Sequence, residues 1–321
     1  MNVLVTGGAG YLGSTCVSLL LGKGHKIRVI DSLLHGGQSL LSFWHQSSFD
    51  FVFGDIRDRS LLRTALDGID AVVHLAAIVG DPACARNANQ AREVNLQASV
   101  SLLEDCRRSK IQKFVFASTC SNYGKMQDPD GYVNEDSELC PLSVYAETKV
   151  QAERNLLEAD HAEPLTATSL RFATLYGVSP RMRFDLTVNE FTLAMVVKGH
   201  LIVFGEQFWR PYVHVRDAAR AIGDVLISGA NIRGQVFNVG ATNQNFRKQD
   251  LVEMIRAHAP DACIEYIREK EDPRDYRVCF DKIADRLSFV LTRTVPEGIA
   301  EVARLVRSNV VPCFDDPNLR N

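Results

Sequence analysis

The sequence predicts an α/β protein with a doubly wound parallel sheet and a smaller C-terminal lobe interleaved with it. Three observations support this fold class. Short apolar runs alternate with amphipathic stretches through the first two thirds of the 321 residues, a glycine-rich turn follows the first apolar run, and the rhythm changes after about residue 177. Strand and helix alternation is typical of a parallel sheet covered on both faces.

The strands of the sheet are predicted from apolar runs at 3–5, 27–30, 51–53, 71–75, 114–116 and 167–172. Helices are predicted between them, at 11–23, 58–67, 90–109 and 143–162. Beyond residue 177 we expect a loop at 179–183, strands at 201–204 and 237–239, and helices at 186–198, 248–258 and 296–307. This gives a sheet domain of residues 1–177, to which 205–240 return, and a second lobe of 178–204 and 241–321.

Composition excludes several classes of protein. The net charge of −3 offers no general attraction to nucleic acid or to an anionic membrane. The sequence contains no run of about 18 apolar residues, so it predicts no membrane span. The start of the chain resembles no targeting segment, and we therefore expect a cytoplasmic protein. The eight cysteines show no CxxC or Cys/His spacing, which predicts reduced thiols and no metal site.

The glycine-rich turn is the first candidate site. Gly7, Gly8, Gly10 and Gly13 follow the first strand and open the first helix. Glycines in this place allow a tight turn and close approach of a pyrophosphate to the backbone, and the helix N-terminus favours an anion. A simple turn is the alternative, but the strand before it and the helix after it favour a dinucleotide site.

Asp31 ends the second predicted strand, 18 residues beyond Gly13. A carboxylate there suits a ribose diol and repels a 2′-phosphate, so NAD is preferred over NADP. The alternative is an ordinary turn residue.

Tyr145 and Lys149 form a YxxxK pattern, which places a phenol and an ammonium on one face of a helix. The ammonium would lower the pKa of the Tyr145 phenol towards working pH and make it a general base for a hydroxyl group. Taken alone, the pattern also fits an ordinary solvated pair. Because the YxxxK pattern follows a glycine turn and a Ser/Thr motif along the chain, a catalytic role is favoured.

Three segments, TGGAGYLG at 6–13, STCSNYG at 118–124 and YAETK at 145–149, resemble those of the extended short-chain dehydrogenase/reductase family, in its sugar-nucleotide epimerase and dehydratase branch. The resemblance covers nearly the whole chain. It implies a Rossmann sheet, NAD as cofactor, and a GDP- or UDP-linked sugar as substrate. It also implies a homodimer formed by the helices at 92–108 and 144–160, where we count Val94, Leu102, Val150 and Leu157 as apolar residues beyond what the sheet requires.

The resemblance implies three sets of site residues. The catalytic set is Thr119, Tyr145 and Lys149. The cofactor set shares the strand ends and the catalytic helix: Gly7, Gly10, Tyr11, Leu12, Gly13, Asp31, Asp55, Ile56, Leu75, Ala76, Ala77, Asn95, Ser118, Tyr145 and Lys149. The substrate set surrounds the catalytic residues: Gly80, Asp81, Thr119, Cys120, Ser121, Thr174, Arg183, Asn189, Arg210 and Arg274.

Within these sets, Asp55 would contact adenine and Lys149 the nicotinamide ribose. Arg210 and Arg183 would bind the substrate diphosphate, and Asn189 would supply an amide to the phosphates. Guanidinium groups pair bidentately with phosphate, although any one arginine could be only a surface charge.

A narrower likeness is carried by the segments 78–82, 179–189 and 272–277. They resemble a bacterial subgroup that acts on GDP-linked heptoses and larger sugars and includes C4 dehydrogenases. This subgroup suggests a sugar with an extended side chain at C5.

The chain departs from the family pattern at two places. Dehydratases of the branch have Asp-Glu after the catalytic Thr, where this chain has Cys120 and Ser121, and Thr174 stands where Asn is usual. Without those carboxylates, dehydration and decarboxylation are disfavoured. Cys120 only loosely resembles the thiol of some 3,5-epimerases, and we favour a small residue packed beside the nicotinamide.

These residues predict oxidation at C4 of a nucleotide-diphosphate sugar, with Tyr145 as base. A 4-epimerase, which keeps its NAD, is favoured over a C4 dehydrogenase that releases the ketone. A nucleotide-bound regulator without turnover is a remote alternative, because a binding protein needs no base.

Overall fold

The computed structural model describes residues 1–128, 130–158, 165–267, 274–311 and 313–321. The strands of the described chain are β1 Asn2–Thr6, β2 Lys26–Asp31, β3 Phe49–Phe53, β4 Ala71–His74, β5 Lys113–Thr119, β6 Thr166–Phe172, β7 Thr174–Tyr176, β8 His200–Phe204, β9 Trp209–His214, β10 Gln235–Val239, β11 Asn245–Arg247 and β12 Cys263–Ile267. Its α-helices are α1 Tyr11–Gly22, α2 Arg59–Ala65, α3 Asp81–Arg86, α4 Ala88–Arg92, α5 Ala98–Arg108, α6 Val144–Leu157, α7 Thr187–Leu193, α8 Val215–Ile227, α9 Lys248–Arg256, α10 Asp281–Leu287 and α11 Val295–Arg307.

The main sheet has seven strands in the order β10-β6-β5-β4-β1-β2-β3, and every neighbouring pair is parallel. The strand order reverses between β1 and β4, and ligands of open α/β sheets bind at such a point, beyond the carboxyl ends of the strands. The predicted fold class, a doubly wound parallel sheet of Rossmann type, is confirmed.

The sheet buries apolar side chains on both faces, as a parallel sheet covered by helices requires. Along β1, Val3 and Val5 pack into one core with α1 and α8, and Leu4 packs into a second core on the opposite face. All three side chains are fully buried. Because successive side chains of β1 point to opposite faces of the sheet, apolar residues of this one strand pack against the helices on both faces.

The second lobe has two small sheets, β11-β9-β7 and the parallel pair β12-β8. Its core gathers side chains from α7, α9 and α11, with Val188, Leu251 and Ile299 fully buried. β10 returns to the main sheet beside β6, whereas β9 joins β7 and β11. The division into two lobes stays a prediction.

Several elements differ from the predicted ones. The helix predicted at 90–109 contains a π-helical turn at Glu93–Gln97, between α4 and α5. The last residues of the helix predicted at 143–162 lie outside the described residues. Helix α8 was not predicted. Its small residues pack closely on α1, and a Cβ added at Gly223 would lie 3.3 Å from Leu19 Cδ2. Strands β7 and β11 were not predicted either, because they are too short for a periodic signal.

The apolar residues used to predict the dimer are partly accounted for within one chain. Leu102 is fully buried and Val150 is 3% exposed, so both belong to the intramolecular core. Val94 and Leu157 are half-buried against the same core. The argument that all four side chains are spare was wrong, because α5 and α6 pack against one another as well as against the sheet.

Among the described residues, no helix combines the length and the apolar character that a membrane span requires.

Candidate active site

The glycine turn lies between β1, β2 and β4. Gly7 has a positive φ of 73°, and a Cβ there would lie 2.7 Å from the backbone nitrogen of Ala76. A Cβ at Gly13 would collide with the carbonyl oxygen of Gly7. α1 begins directly after Gly10. Only glycine fits these two positions, and the helix that begins here has an N-terminus that favours an anion.

The Asp31 side chain is hydrogen-bonded to the glycine turn. Its carboxylate accepts hydrogen bonds from the backbone nitrogens of Ala9 at 2.9 Å and Leu33 at 2.8 Å. Burial raises the pKa of Asp31, while these two hydrogen bonds and the charge of Arg181 act in the opposite direction. Asp31 therefore stabilises a turn, which was one of the two alternatives for this residue. The contact with a ribose stays a prediction.

Other members of the cofactor set line the same strand ends. Leu75, Ala76 and Ala77 follow β4, and the Ala76 nitrogen donates to Thr6 Oγ1 at 3.2 Å. Ile56 is buried next to this edge, in the core beneath α2 and α5. Asp55 is half-buried and pairs with Arg57 at 2.8 Å, and this hydrogen bond lowers the pKa of Asp55.

Asn95 and Tyr11 have internal roles. Asn95 is fully buried, and it accepts from the Ile78 nitrogen at 2.8 Å and donates to the Ile78 oxygen at 2.9 Å. The hydroxyl of Tyr11, which is 4% exposed, donates to the Gly177 oxygen at 2.6 Å. Asn95 thus holds the loop after β4. The Tyr11 hydroxyl also accepts from Asn189 Nδ2 at 3.3 Å, which joins the glycine turn to the second lobe. Leu12, the neighbour of Tyr11, is half-buried.

The catalytic helix α6 starts at Ser143, whose hydroxyl accepts from the Ala146 nitrogen at 3.2 Å. One turn into the helix, Lys149 is 2% exposed and donates to the Ala117 oxygen at 2.8 Å. Its ammonium lies 4.8 Å from the centre of the Phe116 ring. Burial lowers the pKa of Lys149 to about 8.

Tyr145 lies on the same helix face and is half-buried. In the protein alone, burial raises the pKa of the Tyr145 phenol, and the charges of Cys84 and Asp81 add to the shift while Arg183 opposes it. The prediction that Lys149 lowers this pKa is wrong for the isolated chain. The reason is that desolvation of the phenol is the largest contribution to the shift.

The turn after β5 carries the remaining catalytic candidate. Thr119 Oγ1 accepts from the Ser121 nitrogen at 3.1 Å and caps a short 3₁₀ turn at Cys120–Tyr123, against which α6 packs. Ser118 is buried and accepts from Asn122 Nδ2 at 3.2 Å. The Thr119 hydroxyl is therefore tied to this turn at the carboxyl end of β5.

Cys120 is directed into the core. It is 1% exposed, and its thiol donates to the Arg171 oxygen at 3.2 Å. Burial raises the pKa of the thiol well above its usual range. A substrate contact requires an accessible side chain, so the structure corrects that expectation. The burial of Cys120 agrees with the favoured interpretation of a small packed residue and not with a 3,5-epimerase-like thiol.

The arginines of the substrate set are engaged by carboxylates or aromatic rings. Arg183 forms a bidentate pair with Asp185 at 3.0 and 2.6 Å. Arg210 lies over the Tyr276 ring, 5.3 Å from its centre.

Two predicted substrate residues contact each other across the lobes. Arg274 of the second lobe pairs with Asp81 at 2.8 Å, and Asp81 also accepts from the hydroxyl of Ser143 at 2.7 Å. Asp81 directly follows Gly80, whose φ of 97° is in the region that favours glycine. The loop after β4 is thus tied both to the start of the catalytic helix and to the second lobe.

Asn189 does not face open space. It is fully buried, accepts from the Gly177 nitrogen at 2.9 Å and donates to the Arg183 oxygen at 2.9 Å. The expectation of a phosphate contact is corrected, because the amide supports the loop that carries Arg183. Thr174 is half-buried on β7, in register with Tyr212.

Sequence reasoning missed three residues at this site: Ser143, Asp185 and Tyr276. The hydroxyl of Tyr276 donates to Ser121 Oγ at 3.5 Å, and Tyr276 lies close enough to Tyr145 to affect its pKa. The segment 272–277 was noted only for its likeness to a subgroup, and 272 and 273 lie outside the described residues. Ser143 had a usable signal, since it is the first residue of the helix predicted at 143–162 and serine is a preferred N-cap residue.

The glycine positions, the helix start and the residues along β4 fit a bound dinucleotide. A scan of known families gives a matching result, because the model described as "NAD dependent epimerase/dehydratase family" matches residues 3–240. The chain belongs to this family. Its cofactor is NAD, and its members are enzymes that act on sugar nucleotides.

Similar proteins and structures agree. A Bacillus subtilis (strain 168) protein described as "Uncharacterized UDP-glucose epimerase YtcB" is 32% identical over 253 residues, 76% of this chain and 78% of the relative. The dTDP-glucose 4,6-dehydratase of Streptomyces niveus is 29% identical over 330 residues, 96% and 94% of the two chains. The crystal structure of UDP-glucuronic acid 4-epimerase from Bacillus cereus, with UDP-glucuronic acid and NAD, has a TM-score of 0.86 and 27% identity over 96% of this chain and 99% of that chain.

Proposed function

We propose that the protein oxidises C4 of a nucleotide-diphosphate sugar and returns the hydride to the opposite face, as a 4-epimerase. The observation that carries the proposal is the arrangement of Tyr145 and Lys149 on α6 beside the end of β5, where Lys149 reaches the Ala117 oxygen at 2.8 Å. Thr119 lies at the carboxyl end of β5 and caps the 3₁₀ turn against which α6 packs, so the three candidate groups are carried by elements in contact.

The residues of the chain divide the work. Tyr145 takes the proton of the C4 hydroxyl, and such a base contributes on the order of 10²–10⁴ in rate. Thr119 shares the hydrogen bond of that hydroxyl, and Lys149 binds the nicotinamide ribose and stabilises the phenolate. Bound NAD would supply the hydride chemistry at C4. Because the phenol is a weak acid in the chain alone, its activation depends on charges that arrive with the ligands.

Dehydration needs an additional acid or base after the catalytic Thr. This chain offers Cys120, buried with a raised thiol pKa, and Ser121, which accepts a hydrogen bond from Tyr276 at 3.5 Å. Neither side chain supplies a carboxylate at that point. This favours chemistry confined to C4, although a dehydratase is among the relatives of the chain.

The identity of the nucleotide is a finer proposal. Relatives and structural neighbours carry UDP- or dTDP-linked sugars in their descriptions. The segments 78–82 and 179–189 support the GDP-heptose subgroup. We propose a GDP-linked heptose or hexose and treat a UDP-linked sugar as the competing substrate. Arg183, Arg210 and Arg274 are the proposed diphosphate contacts.

The experiment is to incubate GDP- and UDP-linked hexoses and heptoses with the enzyme and no added cofactor, and to follow C4 by NMR. Many turnovers to the C4 epimer without lasting NADH absorbance are expected. A 4-keto sugar that accumulates in proportion to added NAD would establish the C4 dehydrogenase instead. No conversion of any sugar, with NAD retained, would favour the regulator.

We also propose that the protein is a homodimer, as the resemblance implies, with α5 and α6 forming a four-helix bundle with their symmetry mates. The half-buried Val94 and Leu157 support this face. A dimer mass by light scattering at micromolar concentration is expected, and a monomer would contradict the proposal. A cytoplasmic location stays a prediction.

A further inference from the structure

We propose that His200, Cys263 and Glu265 form a zinc-binding site on the surface of the second lobe. The imidazole nitrogen, the thiol sulfur and the carboxylate oxygen of these side chains all lie within 4.8 Å of one another. None of the three belongs to the proposed cofactor or substrate sets. The site is independent of the sugar chemistry.

The backbone brings the three donors together. β8 and β12 are parallel, and Cys263 pairs in register with His200. Side chains two residues apart on a strand share a face, so Cys263 and Glu265 project on the same side of β12. The Cys263 nitrogen donates to the Gly199 oxygen at 2.9 Å and fixes this register.

The opposite face of the same ribbon is anchored. Leu201 is 5% exposed and Val203 is fully buried in the core of the second lobe. A one-residue slip would expose these side chains, so the register that aligns the donors is strongly specified. The donors themselves are exposed, and a metal ion reaches them directly from solvent.

The donor types select the metal. A thiolate and an imidazole are poor ligands for Mg²⁺ and Ca²⁺ but suit Zn²⁺. Three protein ligands leave the fourth tetrahedral position to water. His200 Nε2 already lies 3.0 Å from Glu265 Oε1, close to the spacing of two ligands on one ion. When Zn²⁺ binds, the Zn–S bond forms and the thiol proton passes to solvent, so affinity falls at low pH.

The expected consequence is stabilisation of the second lobe. Zn²⁺ would link β8 to β12, which come from separate segments of the chain. An ion that binds only the folded state raises its stability. The alternative is an ion pair between His200 and Glu265 without a metal ion. In that case the Cys263 thiol has no role in the contact.

The test is a Zn²⁺ titration of the full chain, first stripped with a chelator, against a chromogenic competitor. One Zn²⁺ per chain is expected. Cys263→Ser and His200→Gln should each weaken binding by at least about tenfold. Cys313→Ser is the matched control, because Cys313 is an exposed thiol outside the cluster, and it should bind Zn²⁺ like the wild type.

Two further measurements decide the outcome. Co²⁺ should give a thiolate charge-transfer band in the wild type that Cys263→Ser lacks, and Zn²⁺ should raise the melting temperature of the wild type but not of that variant. Absence of stoichiometric Zn²⁺ in the wild type, or wild-type affinity in Cys263→Ser, would overturn the proposal. NAD content should be unchanged in all variants. The Zn²⁺ measurements therefore remain interpretable even if the protein proves not to be an epimerase.

Discussion

Lys149 and Arg183 show two ways of burying a cation at one site. Lys149 is 2% exposed, and none of the described carboxylates pairs with it. Arg183 is 8% exposed and pairs with Asp185 through two hydrogen bonds. Burial lowers the pKa of Lys149, whereas Arg183 lowers the pKa of Asp185 in spite of burial.

The difference indicates what each cation is prepared for. None of the described carboxylates neutralises the charge of Lys149, so it remains available to the phenol and to a bound ribose. The charge of Arg183 is compensated, so a substrate phosphate must compete with Asp185 for the guanidinium. Perturbed groups of the first kind concentrate at catalytic sites.

Replacing Tyr145 by Phe is expected to have the largest effect on turnover. It tests whether Lys149, with which none of the described carboxylates pairs, serves the Tyr145 phenol, because the substitution removes that proton acceptor. We expect turnover to fall by about 10²–10⁴ with NAD content unchanged. Sugar oxidation by NMR and NAD released on denaturation are the two measurements. Tyr132→Phe, at an exposed tyrosine, is the control and should retain full rate. A variant of Tyr145 that keeps more than about a tenth of the rate contradicts the base assignment.

Lys149→Met tests the cost of burying the cation. In protein stripped of NAD, the folded pKa of Lys149 is about 8 and its ordinary value is 10.5. Between these values the unfolded state binds the proton and the folded state does not, so the free energy of unfolding rises with pH. Relative to Lys149→Met, the wild type should gain on the order of 3 kcal/mol across this window.

Denaturant unfolding at pH 7 to 10.5 measures this gain. The difference between the two proteins is the quantity of interest, because tyrosines and cysteines titrate in both. Parallel pH profiles would show that the ammonium is not penalised by burial.

Changing either member of the Arg183–Asp185 pair tests the compensated cation. Arg183→Gln should raise the KM for the sugar nucleotide by about 10- to 100-fold, the range expected for a lost charged hydrogen bond. Asp185→Asn removes the competitor and should lower KM. If both substitutions raise KM equally, the pair supports the loop and the phosphate does not compete for it. Arg28→Gln breaks a pair with Asp50 that lies outside the proposed site and should leave KM unchanged.

Asp31→Ala extends the comparison to a half-buried anion. The carboxylate should repel the 2′-phosphate of NADP, so the variant should lose about tenfold of its preference for NAD over NADP, a charge effect near 1.4 kcal/mol. Fluorescence titration with both cofactors is the measurement. Because Asp31 also accepts from Ala9 and Leu33, Asp31→Asn keeps the size of the side chain and separates charge from turn geometry. NADP bound more tightly than NAD by the wild type would refute the assignment.

Local signals in the sequence were sufficient for the fold class, the glycine turn and the YxxxK helix. The glycines are dictated by contacts within a few residues and with the adjacent strand, and the strands of a buried parallel sheet are continuous apolar runs. These apolar runs therefore predicted the main sheet. The catalytic helix was predicted from a spacing of four residues, which the helix itself sets.

Only the tertiary structure decided which of the predicted residues face the site. Asn189 and Cys120 match expected positions by chain order, but both are buried and bonded elsewhere. The raised pKa of Tyr145 and the partner of Arg183 likewise depend on neighbours from other segments. The cluster of His200 and Cys263 has no spacing that a sequence pattern could detect, because it is created by the register of two strands. Burial and pairing between distant segments are properties of packing, and a linear sequence carries no direct signal of them.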